Sequence, residues 1–293
     1  MSSLNFPFEF RSDEKENKKL RKYFIGTTWT QELVWLLVND LDYVKAAAEP
    51  LTSRYTFIEF PMFMNKDSVS ELKSVSKHNE EWKKLIDYFS KPGSEVIAEK
   101  PSPRFIKTHV PMSLLPPHLL DIAKVVYVAR DPRDVAVSFF HHNRLFKMTH
   151  FVGDFKTYWH FFVRNMVLWT PFFDHLKEAW DLRNHPNLLF LFYEDLSKDL
   201  PRIVRLVADF LGKEYNDEQI ADLCSHLHFE NFKNNPSVNM DELKELDLYR
   251  PNFIRKGKAG GWREYFDDEM TQEAERWIMD NLKDTDLRFP SAQ

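Results

Sequence analysis

The sequence predicts a layered α/β architecture, a central parallel sheet covered by amphipathic helices, and three strand-to-helix turns predict it. The firmest begins with Lys124-Val125-Val126-Tyr127-Val128-Ala129, an almost continuous β-branched run of the kind buried on both faces of a parallel sheet. Asp131-Pro132 then reads as an N-cap with proline at the first helical position, leading into Val135, Ser138, Phe139 and His142. The pattern recurs at Leu188-Leu189-Phe190-Leu191-Phe192, followed by Tyr193-Glu194-Asp195 and a helix from about Leu200 to Leu211 closed by Gly212. Earlier in the chain, Gly26-Thr27 stand at the start of a helix in which Trp29, Leu33, Leu36 and Leu37 keep helical spacing. Helices expected over 157–180 and 271–282 would cover the sheet, and ligands in this architecture sit at the carboxyl ends of strands.

Length and composition narrow the function classes. Hydrophobic residues at 43% and charged residues at 29% are a globular balance. With only seven glycines and no Gly/Ser-rich or Pro-rich linker, the 293 residues read as a charged leader over 1–25 and one domain over 26–293. A net charge of -5 argues against nucleic acid bound through an overall basic surface, so any anion site must be local. One cysteine, Cys224, cannot close an intramolecular disulfide, and no apolar run approaches the roughly 18 residues of a membrane span. We expect a soluble, cytoplasmic protein.

Four short segments carry candidate chemistry. Gly26-Thr27-Thr28-Trp29 puts a flexible residue and two hydroxyls at a helix start, where free N–H groups and the helix dipole favour an anion. The G-x-x-x-x-G-K-[ST] spacing of a nucleotide triphosphatase loop is missing there, which disfavours a kinase. Lys107-Thr108-His109 sets a cation and an imidazole two residues apart at a strand's end, so their side chains share one face. With an ordinary pKa of about 6.5, His109 would be mostly neutral and able to take a proton from an alcohol. Arg130 follows the buried strand and Ser138 lies on the next helix, a layout that grips a phosphate from two sides, with pairing of Arg130 to Asp131 as the plain alternative. Arg255-Lys256-Gly257-Lys258, ahead of Gly260-Gly261-Trp262, sets cations among flexible backbone and reads as a phosphate loop or as a solvated basic loop. Phenylalanine-rich stretches at 55–63 and 139–151 suggest an apolar pocket.

Taken in order, these segments resemble the cytosolic sulfotransferase family: G-T-T-W, K-T-H-x-P, V-x-R-x-x-x-D-V-x-V-S from Val128 to Ser138, F-Y-E-D-L, and R-K-G-x-x-G. The resemblance implies a three-layer, P-loop-NTPase-like fold and PAPS (3′-phosphoadenosine 5′-phosphosulfate) as co-substrate, with no metal. It implies Gly26, Thr27 and Thr28 at the 5′-phosphosulfate, Trp29 stacked on adenine, Tyr193 in contact with adenine, and Arg130 and Ser138 on the 3′-phosphate. Phe229, in a stretch like the family's F-x-x-M-K-x-N-P, would complete the purine pocket, and Arg255, Lys256 and Gly257 would close on the 3′-phosphate. Leu227 stands where a threonine is usual. His109 would be the general base on the hydroxyl of a small apolar acceptor (a phenol, a steroid or another alcohol), with Lys107 near the transferring group.

The chain departs from the family at its first loop. Members carry a cation two residues before the glycine, and Tyr23-Phe24-Ile25-Gly26 has none, nor does a buried apolar strand precede it. The expectation is a first strand degenerate or missing, with activity impaired. A catalytically silent form acting as a nucleotide- or ligand-binding protein is the alternative. Members dimerise through a segment resembling K-x-x-x-T-V, and the stretch 263–268 departs from it, which leaves a homodimer open.

Overall fold

The structure, a computed structural model, describes residues 26–64, 66–75, 79–145, 151–239 and 259–290. The leader, the residues ahead of Gly26 where the degenerate strand was expected, and the loop of Arg255, Lys256 and Gly257 lie outside the described residues. Helices α1 (Gly26–Val38), α2 (Tyr43–Ala48) and α3 (Leu51–Arg54) lead to strand β1 (Thr56–Phe57). Helices α4 (Lys66–Val75), α5 (Glu80–Ser90) and α6 (Gly93–Glu99) separate it from β2 (Ile106–Lys107). After α7 (Leu119–Ile122) comes β3 (Val125–Ala129), and α8 (Pro132–Leu145), α9 (Phe155–Val163) and α10 (Phe172–Asp181) carry the chain to β4 (Leu188–Phe192). Helices α11 (Tyr193–Lys198), α12 (Leu200–Leu211), α13 (Asp217–Leu227), α14 (Phe229–Phe232) and α15 (Asp268–Leu282) follow.

All strand pairing among the described residues is parallel: β1 with β2, and β3 with β4 over five residue pairs from Val125↔Leu188 to Ala129↔Phe192. No described strand joins the two pairs into the single sheet the sequence led us to expect. The β3–β4 pair has helices on both faces because its side chains alternate with period two. Val126, Val128, Leu189 and Leu191 face the largest core, which α1, α12 and α13 build with Leu33, Leu36, Leu37, Val204, Val207 and Leu223. Tyr127, Ala129, Phe190 and Phe192 face a second core made by Phe173 and Leu176 of α10 and Leu282 of α15. Each such buried aliphatic side chain contributes roughly 1.5 to 3 kcal/mol relative to exposure.

Local signals decide the helix ends. The Asp131 carboxylate accepts from the Arg133 N–H at 2.9 Å and α8 opens at Pro132, as the capping pattern predicts. Gly212 closes α12 at φ 71°, a left-handed position that costs glycine nothing. The expected helix over 157–180 is instead two helices. Asn165 and Trp169 take positive φ values of 58° and 59° between them, and Pro171, which has no N–H for a helical bond, starts α10. That break turns Trp169 towards β1 and β2.

Candidate functional site

One half of the site gathers where α1 and α11 begin. Thr28 is 1% exposed and its hydroxyl has no hydrogen-bond partner among the described residues, at a helix start whose first N–H groups have no helical acceptor. The Trp29 indole donates to the Leu227 carbonyl at 2.9 Å and meets the Tyr193 ring edge-on at 6.0 Å. The Arg130 guanidinium lies 4.3 Å over the Tyr193 ring and 3.6 Å from the Asp134 carboxylate. The alternative pairing of Arg130 with Asp131 is not what forms, since Asp131 is taken by Arg133 at 2.6 Å. Phe229 is partly buried at the first turn of α14, with the Lys233 ammonium 5.6 Å over its ring.

Asp134 also accepts from the Gly260 N–H at 2.7 Å and the Trp262 N–H at 2.9 Å, tying the segment after the basic loop to the first turn of α8. Burial raises the Asp134 carboxyl against the pull of Arg130. The neighbouring Glu194 accepts from the Asp131 N–H at 2.9 Å, and burial lifts its carboxyl to about 7. Asp134, Ser138 and His142 recur every four residues and so form one stripe along α8. This stripe connects the Arg130 region to the second half of the site.

The second half is an aromatic cluster around Lys107 and His109. Both contact Phe57 of the paired strand: the ammonium is 4.6 Å over its ring, and the imidazole centroid is 5.2 Å from it. Trp169 covers the imidazole at 4.7 Å and also meets Phe63, Phe139 and His142 at 5.9, 5.4 and 6.1 Å. The His109 carbonyl bonds His175 Nε2 at 2.9 Å, and Tyr127 Oη bonds His175 Nδ1 at 2.9 Å. Burial pushes the His109 imidazole down to about 4 and the Lys107 ammonium down to about 8. Burial, then the neighbouring Lys107 and His109, hold His142 well below its ordinary value. The resting pair is a cation beside a neutral base.

Of the residues singled out in sequence, Thr28, Trp29, Arg130, Ser138 and Tyr193 are buried or half-buried around one half, and Lys107 and His109 share the other. The stretch 139–151 divides its rings. Phe139 reaches Trp169 on one side and Phe162 on the other, whereas Phe140 and Phe151 pack with Phe155 and Tyr158 in the core under α9. Sequence reading missed Glu59, His142, Trp169 and His175. Only His142 left a signal, its four-residue spacing from Ser138; the others depend on chain pairings distant in sequence.

A buried cation over an aromatic ring, a buried threonine hydroxyl without a partner among the described residues and a neutral imidazole in an aromatic cluster define a class: an α/β protein with the groups to hold an anion near a hydroxyl. The family model described as "Sulfotransferase domain" matches residues 25–286, and the chain belongs to that family. It is 34% identical over 266 residues to luciferin sulfotransferase of Photinus pyralis, covering 88% of this chain and 69% of that protein. To sulfotransferase 1B1 of Mus musculus it is 31% identical over 267 residues, 90% of this chain and 81% of the other. Among solved structures it is similar to retinol dehydratase in a complex with retinol and PAP, with a TM-score of 0.84 and 50% identity over 90% of this chain and 80% of that one. A second structure, retinol dehydratase with androsterone and inactive cofactor PAP, aligns with a TM-score of 0.84 and 43% identity over 98% and 99% of the two chains. No described helix is long and apolar enough to cross a membrane.

Proposed function

We propose that this chain is a PAPS-dependent sulfotransferase that acts on the hydroxyl of a small apolar acceptor, in a domain beginning at residue 26. The observation that carries the reading is the neutral, half-buried His109 imidazole, both ring nitrogens shielded from solvent, beside Lys107 in a cluster of Phe57, Phe63, Phe139 and Trp169. PAPS fits the other half on the chemistry of the side chains: a Thr28 hydroxyl and a buried Tyr193 hydroxyl without partners among the described residues, and the Arg130 guanidinium between the Tyr193 ring and Asp134. Thr28, Trp29, Arg130, Ser138 and Tyr193 would hold it, with Gly26, Thr27, Phe229, Arg255, Lys256 and Gly257 as the remaining contacts. When bound, the donor supplies an electrophilic sulfuryl group.

His109 would take the acceptor hydroxyl proton on Nε2, and Lys107 would offset negative charge on the leaving phosphate oxygen. The aromatic walls exclude water, which strengthens both effects. An isoprenoid or steroid alcohol suits these walls, and relatives crystallised with retinol and androsterone support that class. With no cation two residues before Gly26, the phosphosulfate end rests on the α1 amides and Lys107, so turnover slower than that of relatives carrying the cation is part of the proposal.

The test is incubation of purified protein with sulfur-labelled PAPS and a panel of phenols, sterols and retinoid alcohols, together with calorimetric titration of PAP. Labelled product lost in His109→Ala, with PAP affinity nearly unchanged, is the expected result. Folded protein that binds PAP and yields no product would leave the silent binding form instead.

A further inference from the structure

The register of β1 and β2 brings a carboxylate to His109. Thr56 pairs with Ile106 and Phe57 with Lys107, and the Ile58 N–H continues the ladder to the Lys107 carbonyl at 3.1 Å. Two residues further, Glu59 stands opposite His109. The His109 backbone N–H donates to Glu59 Oε1, and the same oxygen is 3.4 Å from the ring Nδ1. Glu59 is 5% exposed, and its other oxygen has no hydrogen-bond partner among the described residues. On the far side of the ring, the buried Nε2 likewise has none. At 3.4 Å the ring contact is longer than a hydrogen bond, a common state for catalytic groups before substrate is bound.

The groups facing the His109 imidazole come from four elements: Lys107 from β2, Glu59 after β1, His142 from α8 and His175 from α10. Burial, then Lys107 and His175, disfavour a charged ring, and Glu59 is the one anion in the set. Burial raises the Glu59 carboxyl, and the interactions with His109 outweigh it, leaving Glu59 below its ordinary value and ionised. The same charge favours the protonated form of Lys107.

We propose that Glu59 is a positioning residue that forms a carboxylate–imidazole pair with His109. It holds the proton on Nδ1, leaves Nε2 as the acceptor, and stabilises the imidazolium formed when the hydroxyl proton arrives. The inference rests on the reading of His109 as base.

Glu59→Gln keeps an oxygen for the His109 N–H and removes the charge. The expected result is a loss of about 10²-fold in kcat with PAP affinity and melting temperature nearly unchanged. Both limbs of the pH–rate profile should move to lower pH, because the ionised forms of His109 and Lys107 lose the same counter-charge. Glu59→Asp should restore the limbs and part of the rate. A carboxamide in a buried site can impair folding, and nitrogen NMR of the wild-type protein provides a readout independent of turnover: the proton of neutral His109 should reside on Nδ1, with or without PAP. Unshifted limbs and an undiminished kcat in Glu59→Gln, beside an inactive His109→Ala, would overturn the pair and leave the base standing. An Nε2–H tautomer would also overturn it. An active His109→Ala would overturn both.

Discussion

Acid should destabilise this protein through its buried imidazoles, and one substitution isolates the share due to His109. Burial, with Lys107 beside it, pushes that ring down to about 4 in the folded chain, whereas the unfolded chain titrates it near about 6.5. The unfolded state therefore binds a proton that the folded state refuses. Stability is full above the unfolded value, falls as pH drops through it, and levels off below the folded value. From about pH 6.5 to about pH 5 is roughly 1.5 decades, and at about 1.36 kcal/mol per decade this removes about 2 kcal/mol. Burial lowers His141 to about 3, so it should add a similar amount, and His142 acts in the same direction. Urea unfolding of wild type and His109→Gln, each near pH 7 and near pH 5, measures the share directly. The variant should lose about 2 kcal/mol less than wild type on acidification. Equal losses would refute the claim that His109 is buried and neutral.

Two further substitutions probe the scaffold. A Cβ at Gly93, the first residue of α6, would lie 2.7 Å from the Ile58 Cα and closer still to its carbonyl, so Gly93→Ala must displace the chain that carries Phe57 and Glu59. A loss of about 1 to 3 kcal/mol in thermal or urea unfolding is expected, with a fall in kcat larger than the change in PAP affinity. Arg54 and Glu32 form a fully buried pair at 2.7 Å, and Glu32 also bonds His226 at 2.9 Å. Arg54→Met should cost about 3 to 5 kcal/mol by leaving the carboxylate uncompensated, and adding Glu32→Leu should recover most of it; a double variant as unstable as the single would count against this account.

The strand-to-helix turns were legible because each is a local event. The β-branched run of β3, the Asp131-Pro132 start of α8 and the Gly212 close of α12 depend on residues within a few positions of one another. The break between α9 and α10 was not legible from periodicity, since the apolar spacing runs on through Asn165 and Trp169 while the backbone does not. Phe139 and Phe140 illustrate the same limit: adjacent on one helix, Phe140 is buried in the core under α9 while Phe139 extends from it to the rings around Trp169, because neighbouring positions on α8 point about 100° apart.

The motifs therefore determined the family, the order of the parallel units and the placing of Lys107 and His109 at the end of β2, because each is written in contiguous residues. Tertiary structure alone decided what those groups meet. Glu59 reaches His109 across a sequence separation of 50 through the parallel register of two short strands, and Trp169 covers the ring from a turn between helices. Such contacts arise when separate elements bury their apolar faces against one another, and no local spacing encodes the register at which they come to rest.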